Sequence, residues 1–341
     1  MEEVNDLGPA LAVLDAARQE LAKRIVGQEE MIEGLLTALI AGGHILLEGV
    51  PGLAKTRAVK SLAEITGLDF KRIQFTPDLL PADLTGTLIW EQAALGFSVR
   101  KGPVFANVIL ADEINRAPAK VQSALLEAME ERQVTIGEKS YPLPTPFFVL
   151  ATQNPIEHEG TYALPEAELD RFLLKLLIRY PAPDEELRIL DFAPPFASGE
   201  APGEGGIKRS GEPLRQTLDT EALGVLRKAV DSIFVDPEVK KYIVQVIAAS
   251  RPSREKGGKA GREGIYRYIA FGGSPRASLA LYRSARIRAL FAGRAFVSPE
   301  DVKTAALPVL RHRLVLSYEA EADGLDADTV ISRILTLVPM P

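Results

Sequence analysis

Cysteine is absent from the 341 residues. Without it there is no disulfide scaffold, thiolate zinc site, iron–sulfur cluster or cysteine nucleophile, and the absence suits a reducing compartment. Histidine is nearly as scarce: His44, His158 and His312 stand far apart with no HExxH pair, so a histidine-built metal site is not expected. Also missing is any apolar run near the ~18 residues of a membrane helix, and the acidic start Met1-Glu2-Glu3-Val4 lacks the character of a signal peptide. A cytoplasmic protein is the simplest expectation. Nor is there an excess of positive charge: the net is −6, which argues against broad binding to nucleic acid, since that depends on neutralising phosphates. What is present is an ordinary globular composition, 46% hydrophobic and 25% charged, excluding disorder throughout. The length predicts about two domains with chain enough to bury a core.

Composition shifts near residue 191. Pro194, Pro195, Gly199, Pro202, Gly203, Gly205, Gly206, Gly211 and Pro213 crowd together with few apolar residues between them, a stretch that cannot pack. The expected organisation is therefore a core over 1–190, a flexible linker over 191–215 and a second domain over 216–341. A second loose stretch is expected from Arg251 to Gly264, rich in Gly, Lys and Arg. Residues 1–190 hold 18 Lys+Arg against 28 Asp+Glu, and residues 191–341 hold 22 against 18. The second half either offers a basic face to an acidic partner or is simply solvated.

Before the linker, short apolar runs alternate with helical patterns, the mark of a parallel α/β sheet. Strands are expected at His44–Leu47, Arg72–Phe75, Val108–Ala111, Phe147–Ala151 and Leu173–Ile178, and helices at Asn5–Arg24, Glu29–Ala41, Lys55–Thr66, Ala119–Glu131 and Asp184–Phe192. Thr87–Val99 and Gln133–Leu143 alternate apolar and polar residues around Gly96 and Gly137 and predict two inserted β-hairpins. After the linker, Thr220–Phe234, Pro237–Ser250, Pro275–Ala292, Pro299–Leu310 and Ala327–Leu337 predict a small helical bundle.

Gly49-Val50-Pro51-Gly52-Leu53-Ala54-Lys55-Thr56 follows the first strand and opens a helix, the context a phosphate-binding loop requires. There, backbone N–H groups and the helix N-terminus surround phosphates, Lys55 neutralises their charge and the Thr56 hydroxyl ligates magnesium. Ala54 replaces the usual Gly, which a helical φ tolerates. Alone, the segment also allows a Gly-rich turn. About sixty residues on, the strand run Val108–Ala111 ends in Asp112 and Glu113, a Walker B arrangement in which Asp112 serves the magnesium shell and Glu113 deprotonates the attacking water. Order and context together favour the pair of motifs over a chance turn and a solvated loop.

Three further residues suit the same chemistry. Asn154, after the strand Phe147–Ala151, either positions the lytic water or merely makes a turn before Pro155. Arg171 is either a finger projected into a neighbouring subunit's site or an exposed arginine paired with Asp170. Ser274 and Pro275 read as N-cap and first helical residue. Arg276 then opposes the helix dipole, so it faces an anion such as a γ-phosphate or lies on the surface. Val26-Gly27-Gln28 is either an adenine contact or a plain turn. Met129 fits the core, whereas Trp90 and Phe97 fit an exposed hairpin.

In these motifs the chain resembles AAA+ ATPases, and the wording GVPGLAKT, LADEINRAP, AKVQSALLEAMEE, VLATQNPIE, EGTYALPEAELDRF and GGSPRA narrows the resemblance to the MoxR family, from about Val26 to Arg313. Glu168 departs from the pattern, where Gln is expected, a difference confined to that contact. The resemblance implies an α/β fold, a P-loop AAA+ parallel-sheet core with two hairpins near a central pore and a small all-α lid. It implies magnesium-dependent ATP hydrolysis, with Glu113, Asn154, Arg171 and Arg276 catalytic and Val26–Gln28 and Gly49–Thr56 on the nucleotide. It further implies a homo-oligomeric ring, a hexamer, that remodels or matures a protein client beside a partner with a von Willebrand factor A domain. Which subunit's nucleotide Arg276 touches stays open. Two rival readings are a nucleic-acid motor, disfavoured by the net charge, and a silent scaffold, disfavoured by the complete set of catalytic residues.

Overall fold

The computed structural model describes residues 6–50, 53, 55–92, 95–155, 161–191, 213–252 and 264–341. Most of the expected linker and of the Arg251–Gly264 stretch lies outside them. Contacts among the described residues gather the chain into two compact units: Ala12–Leu164 with Leu176–Gly224, and Met1–Leu11 with Pro165–Lys175 and Val225–Pro341. No helix among the described residues is long and apolar enough to cross a membrane.

From its start the chain forms α1 (Gly8–Ala22), α2 (Glu29–Ala41), β1 (Ile45–Glu48), α3 (Lys55–Thr66), β2 (Phe70–Gln74) and α4 (Pro81–Thr85). A hairpin, β3 (Gly86–Glu91) and β4 (Gly96–Lys101), precedes β5 (Val108–Asp112) and α5 (Ala119–Glu131). A second hairpin, β6 (Gln133–Ile136) and β7 (Lys139–Pro142), leads to β8 (Phe148–Gln153), then α6 (Glu166–Leu169), β9 (Leu174–Leu177) and α7 (Pro183–Asp191). Each expected core element forms, α2, α3 and α5 residue for residue. Five strands make one sheet in the order β2-β5-β8-β1-β9, parallel at β2–β5, β5–β8 and β8–β1. The middle strands β1, β5 and β8 are buried along nearly their whole length, which is why they read as unbroken apolar runs rather than alternating ones. Register sets Glu48 opposite Gln153 and Gln74 opposite Asp112, so four neighbouring strands end at one edge. In open α/β sheets that carboxyl edge is where ligands bind.

The later chain is helical: α8 (Thr220–Ser232), α9 (Pro237–Ala249), β10 (Ile269–Phe271), α10 (Pro275–Phe291), α11 (Pro299–Leu310), β11 (Val315–Leu316), α12 (Tyr318–Ala322) and α13 (Ala327–Leu337). Caps explain the sharp starts of α10 and α11. Ser274 accepts from the Arg276 N–H at 3.1 Å ahead of Pro275, and Ser298 and Asp301 form a reciprocal capping box ahead of Pro299. The helical lid carries one addition, the antiparallel pair β10–β11, too short for alternation to register in sequence.

His44, buried beside β1, ties the sheet to α5. Its Nδ1 accepts from the Val149 N–H at 3.0 Å, so Nε2–H donates to Met129 O at 3.3 Å. Burial, then the nearby Arg132 cation, pushes its pKa down to about 3. A ring that is neutral when folded but titrates near 6.5 when unfolded stabilises the fold above pH 6.5, and that stability drains as the pH falls toward 3. The stability gap between wild type and His44→Asn is therefore expected to shrink by about 2 kcal/mol from pH 7 to pH 5. Urea titrations at both pH values measure it; a constant gap would show that His44 is not held neutral.

Candidate functional site

The loop after β1 begins at buried Gly49, whose N–H donates to Gln153 O at 3.3 Å. A Cβ here would stand 2.7 Å from Ile178 O and 2.9 Å from Ile178 Cβ, so only glycine fits. Val50 and Leu53 are half-buried; Pro51, Gly52 and Ala54 lie outside the described residues. Lys55 opens α3 and folds back, its Nζ donating to Gly49 O at 2.7 Å, with Thr56 half-buried beside it. Burial pushes the Lys55 ammonium below its ordinary pKa, while Asp112, Glu113 and Glu48 pull it upward. One cation and three carboxylates thus converge on the loop.

Asp112 and Glu113 are held by strands on either side of β5. The Thr152 hydroxyl, on β8, donates to Asp112 Oδ1 at 2.6 Å and accepts from the Glu113 N–H at 2.8 Å. That second bond accompanies an uncommon backbone: Glu113 sits at φ 56°, ψ 50°, a left-handed conformation rare for a residue with a Cβ and typical of functional sites. From β2, Arg72 Nε and Nη2 donate to Asp112 Oδ2 at 3.0 and 2.7 Å. Gln74 Nε2 donates to Glu113 Oε2 at 2.7 Å, and Arg116 Nη1 reaches the same oxygen at 3.1 Å. Arg72 and Gln74 lie two apart on one strand and so share a face. Asn154 is buried just beyond β8, the strand between those that end in Glu48 and Asp112. The sheet thus brings Gly49, Lys55, Asp112, Glu113 and Asn154 to one edge. Arg72, Gln74 and Thr152 were missed by sequence reasoning, since polar residues on an edge strand read as solvated and a threonine just past an apolar run reads as the start of a loop.

Val26-Gly27-Gln28 makes a turn, and Gln28 is also part of a cavity wall. Gly27 has φ 64° and Gln28 φ 56°, after which α2 begins. A Cβ on Gly27 would come within 2.2 Å of Glu185 Oε1. Gln28 Nε2 donates to Arg179 O at 3.1 Å, and these residues with Met31, Ile178, Tyr180 and Glu185 line a cavity of about 170 Å³. Ile178, the residue against Gly49, belongs to that wall.

Arg171 and Arg276 belong to the other unit. The Asp170 carboxylate is held from its own unit: Arg313 Nε donates to Oδ1 at 2.6 Å and the Ser274 hydroxyl to Oδ2 at 2.8 Å. Arg171 lies 3.9 Å from Glu168. Arg311, His312 and Arg313 grip the same segment through the carbonyls of Lys175, Phe172 and Leu173. Met129 is buried in the core. Trp90 and Phe97 face each other across β3–β4 at 5.2 Å and 74°, and remain 56% and 69% exposed.

Comparison with known proteins agrees with this geometry. Residues 44–174 match the family model described as ATPase family associated with various cellular activities (AAA), and residues 265–334 match an AAA lid domain. Chaperone MoxR1 of Mycobacterium tuberculosis is 47% identical over 335 residues, 98% of this chain and 84% of that one. YeaC of Bacillus subtilis is 40% identical over 336 residues, covering 98% and 96%. A protein of Cytophaga hutchinsonii with a crystal structure at 2.00 Å aligns with a TM-score of 0.83 and 44% identity over 98% of this chain and 97% of that one.

Proposed function

Because the chain belongs to the MoxR family of AAA+ ATPases, we propose that it binds ATP at the carboxyl edge of its sheet and hydrolyses it with magnesium to remodel or activate a protein client. One observation carries the reading: Lys55 folds over Gly49 while Asp112, Glu113 and Glu48 face its ammonium. Backbone N–H groups of this loop and the positive end of α3 would surround the phosphates, and Lys55 would exchange Gly49 O for phosphate oxygen. Thr56 and Asp112 are hard oxygen donors of the kind magnesium takes, and Asp112 already accepts from a cation, so the residues fit the ion. Thr56 and Asp112 would hold the magnesium, whose charge would offset the negative charge developing on the phosphates.

Hydrogen bonds from Gln74 and Arg116 both reach Oε2 of Glu113, leaving Oε1 to orient and deprotonate water, with the buried Asn154 amide holding that water in line. Val26, Gly27 and Gln28 would contact adenine. Arg171 would serve as a finger for the neighbouring subunit's nucleotide, and Arg276 would meet a phosphate. The name Chaperone MoxR1 of one relative supports the client role. The family resemblance extends the proposal to a hexameric ring and a partner with a von Willebrand factor A domain; no observation at the site favours a nucleic-acid motor.

Lys55→Ala tests the reading at its centre. Losing a charge-assisted hydrogen bond of about 1.5–3 kcal/mol is expected to weaken ATP binding roughly 10- to 100-fold. A fluorescent-nucleotide titration measures this, and unchanged affinity would remove Lys55 from the site.

A further inference from the structure

The carboxylate assigned to the metal already has a cation on it. Arg72 donates twice to Asp112 Oδ2, at 3.0 and 2.7 Å, and its Nη2 also reaches Gln74 Oε1 at 2.9 Å, so the guanidinium is anchored both to β5 and to its own strand. The Asp112 side chain is only 15% exposed and that of Arg72 35%, so the pair is partly shielded from solvent. Around the loop, Lys55, Arg72 and Arg116 face Glu48, Asp112 and Glu113. Among the described residues, these cations and carboxylates pair with one another. A lone dication approaching Asp112 must displace Arg72 or sit beside a like charge a few ångströms away. The same ion arriving with a polyphosphate brings the negative charge that offsets that repulsion.

We propose that Arg72 is the resident counter-ion of Asp112: it occupies the carboxylate in the nucleotide-free protein, competes with the divalent cation for it, and yields only when phosphate oxygens accompany the metal. This rests on the ATP-binding reading of the same site. Arg72 is thus a positioning residue that sets the order of loading, making metal binding contingent on nucleotide.

The opposite role, a permanent support that orients Asp112 toward the metal, predicts that removing Arg72 weakens metal binding with or without nucleotide, so magnesium alone separates the two. Affinity for a fluorescent ADP is measured in EDTA and in magnesium for wild type, Arg72→Ala and Arg72→Gln; the Gln variant keeps a hydrogen bond to Gln74 without the charge and stands in should the Ala variant fail to fold. Because the variants can load magnesium before nucleotide, the gain in ADP affinity on adding magnesium is expected to be about tenfold smaller in them than in wild type. Magnesium without nucleotide should leave the wild-type unfolding midpoint unmoved and raise that of the variants. Variants whose midpoint magnesium alone leaves unmoved, or whose gain is not smaller, overturn the proposal. If wild type binds no nucleotide in either buffer, the ATP reading itself falls, and that result is distinct from a shift of the wrong sign.

Discussion

Glu113→Gln is expected to bind ATP as wild type does and to hydrolyse it roughly 10²- to 10⁴-fold more slowly, the usual contribution of a positioned general base. The amide keeps the shape of the side chain and its place at the end of β5. The left-handed backbone at Glu113, with its N–H on the Thr152 hydroxyl, does not depend on the carboxylate. What is lost is the capacity to take a proton from water. The variant also keeps an acceptor for Gln74 and Arg116, so its fold should be unaltered. Phosphate release at saturating ATP measures turnover, and a nucleotide titration measures binding. Turnover near the wild-type value would mean that another group is the base.

Arg171→Ala is expected to retain ATP binding through an intact phosphate loop and to lose roughly 10³- to 10⁵-fold in hydrolysis, the contribution of an arginine finger. Arg313 and Ser274 hold the Asp170 carboxylate, and Arg171 lies 3.9 Å from Glu168. If the finger acts in trans, each interface needs Lys55 from one chain and Arg171 from its neighbour. Mixing Arg171→Ala with Lys55→Ala subunits, each inactive alone, should then restore complete sites at roughly one interface in four for random head-to-tail assembly. A mixing titration at fixed total protein, with phosphate release as readout and light scattering to establish subunit exchange, measures the recovery. No recovery despite proven exchange would sink the trans assignment or show that intact neighbours must fire together. Replacing the Lys55 variant with wild type separates those two outcomes.

Sequence alone determined the elements whose causes are local. The bounds of α2, α3, α5, α11 and α13 follow from periodicity and from their caps and breakers, such as the left-handed Gly42 that ends α2 and the Ser298–Asp301 box that opens α11. The buried strands declare themselves because burial on both faces demands an unbroken apolar run. The loop from Gly49 to Thr56 and the acids Asp112 and Glu113 were legible because each sits at a strand end, and chain order alone places it there. Short elements such as α4, α6, α12 and the β10–β11 pair were not, because a periodic pattern needs more residues than they contain.

Tertiary structure decided which side chains meet. Arg72 lies forty residues from Asp112 and Arg313 lies 143 from Asp170; no periodicity links them, and each pairing exists only because the sheet order sets β2 beside β5 and the fold brings the end of α11 to the segment before β9. Thr152 likewise looked like the first residue after a strand until the longer β8 placed its hydroxyl between Asp112 and Glu113. Local physics writes elements into a sequence, whereas contacts between elements depend on strand order and packing. For that reason the loop and its acids could be read in advance, but the cation already resting on Asp112 could not.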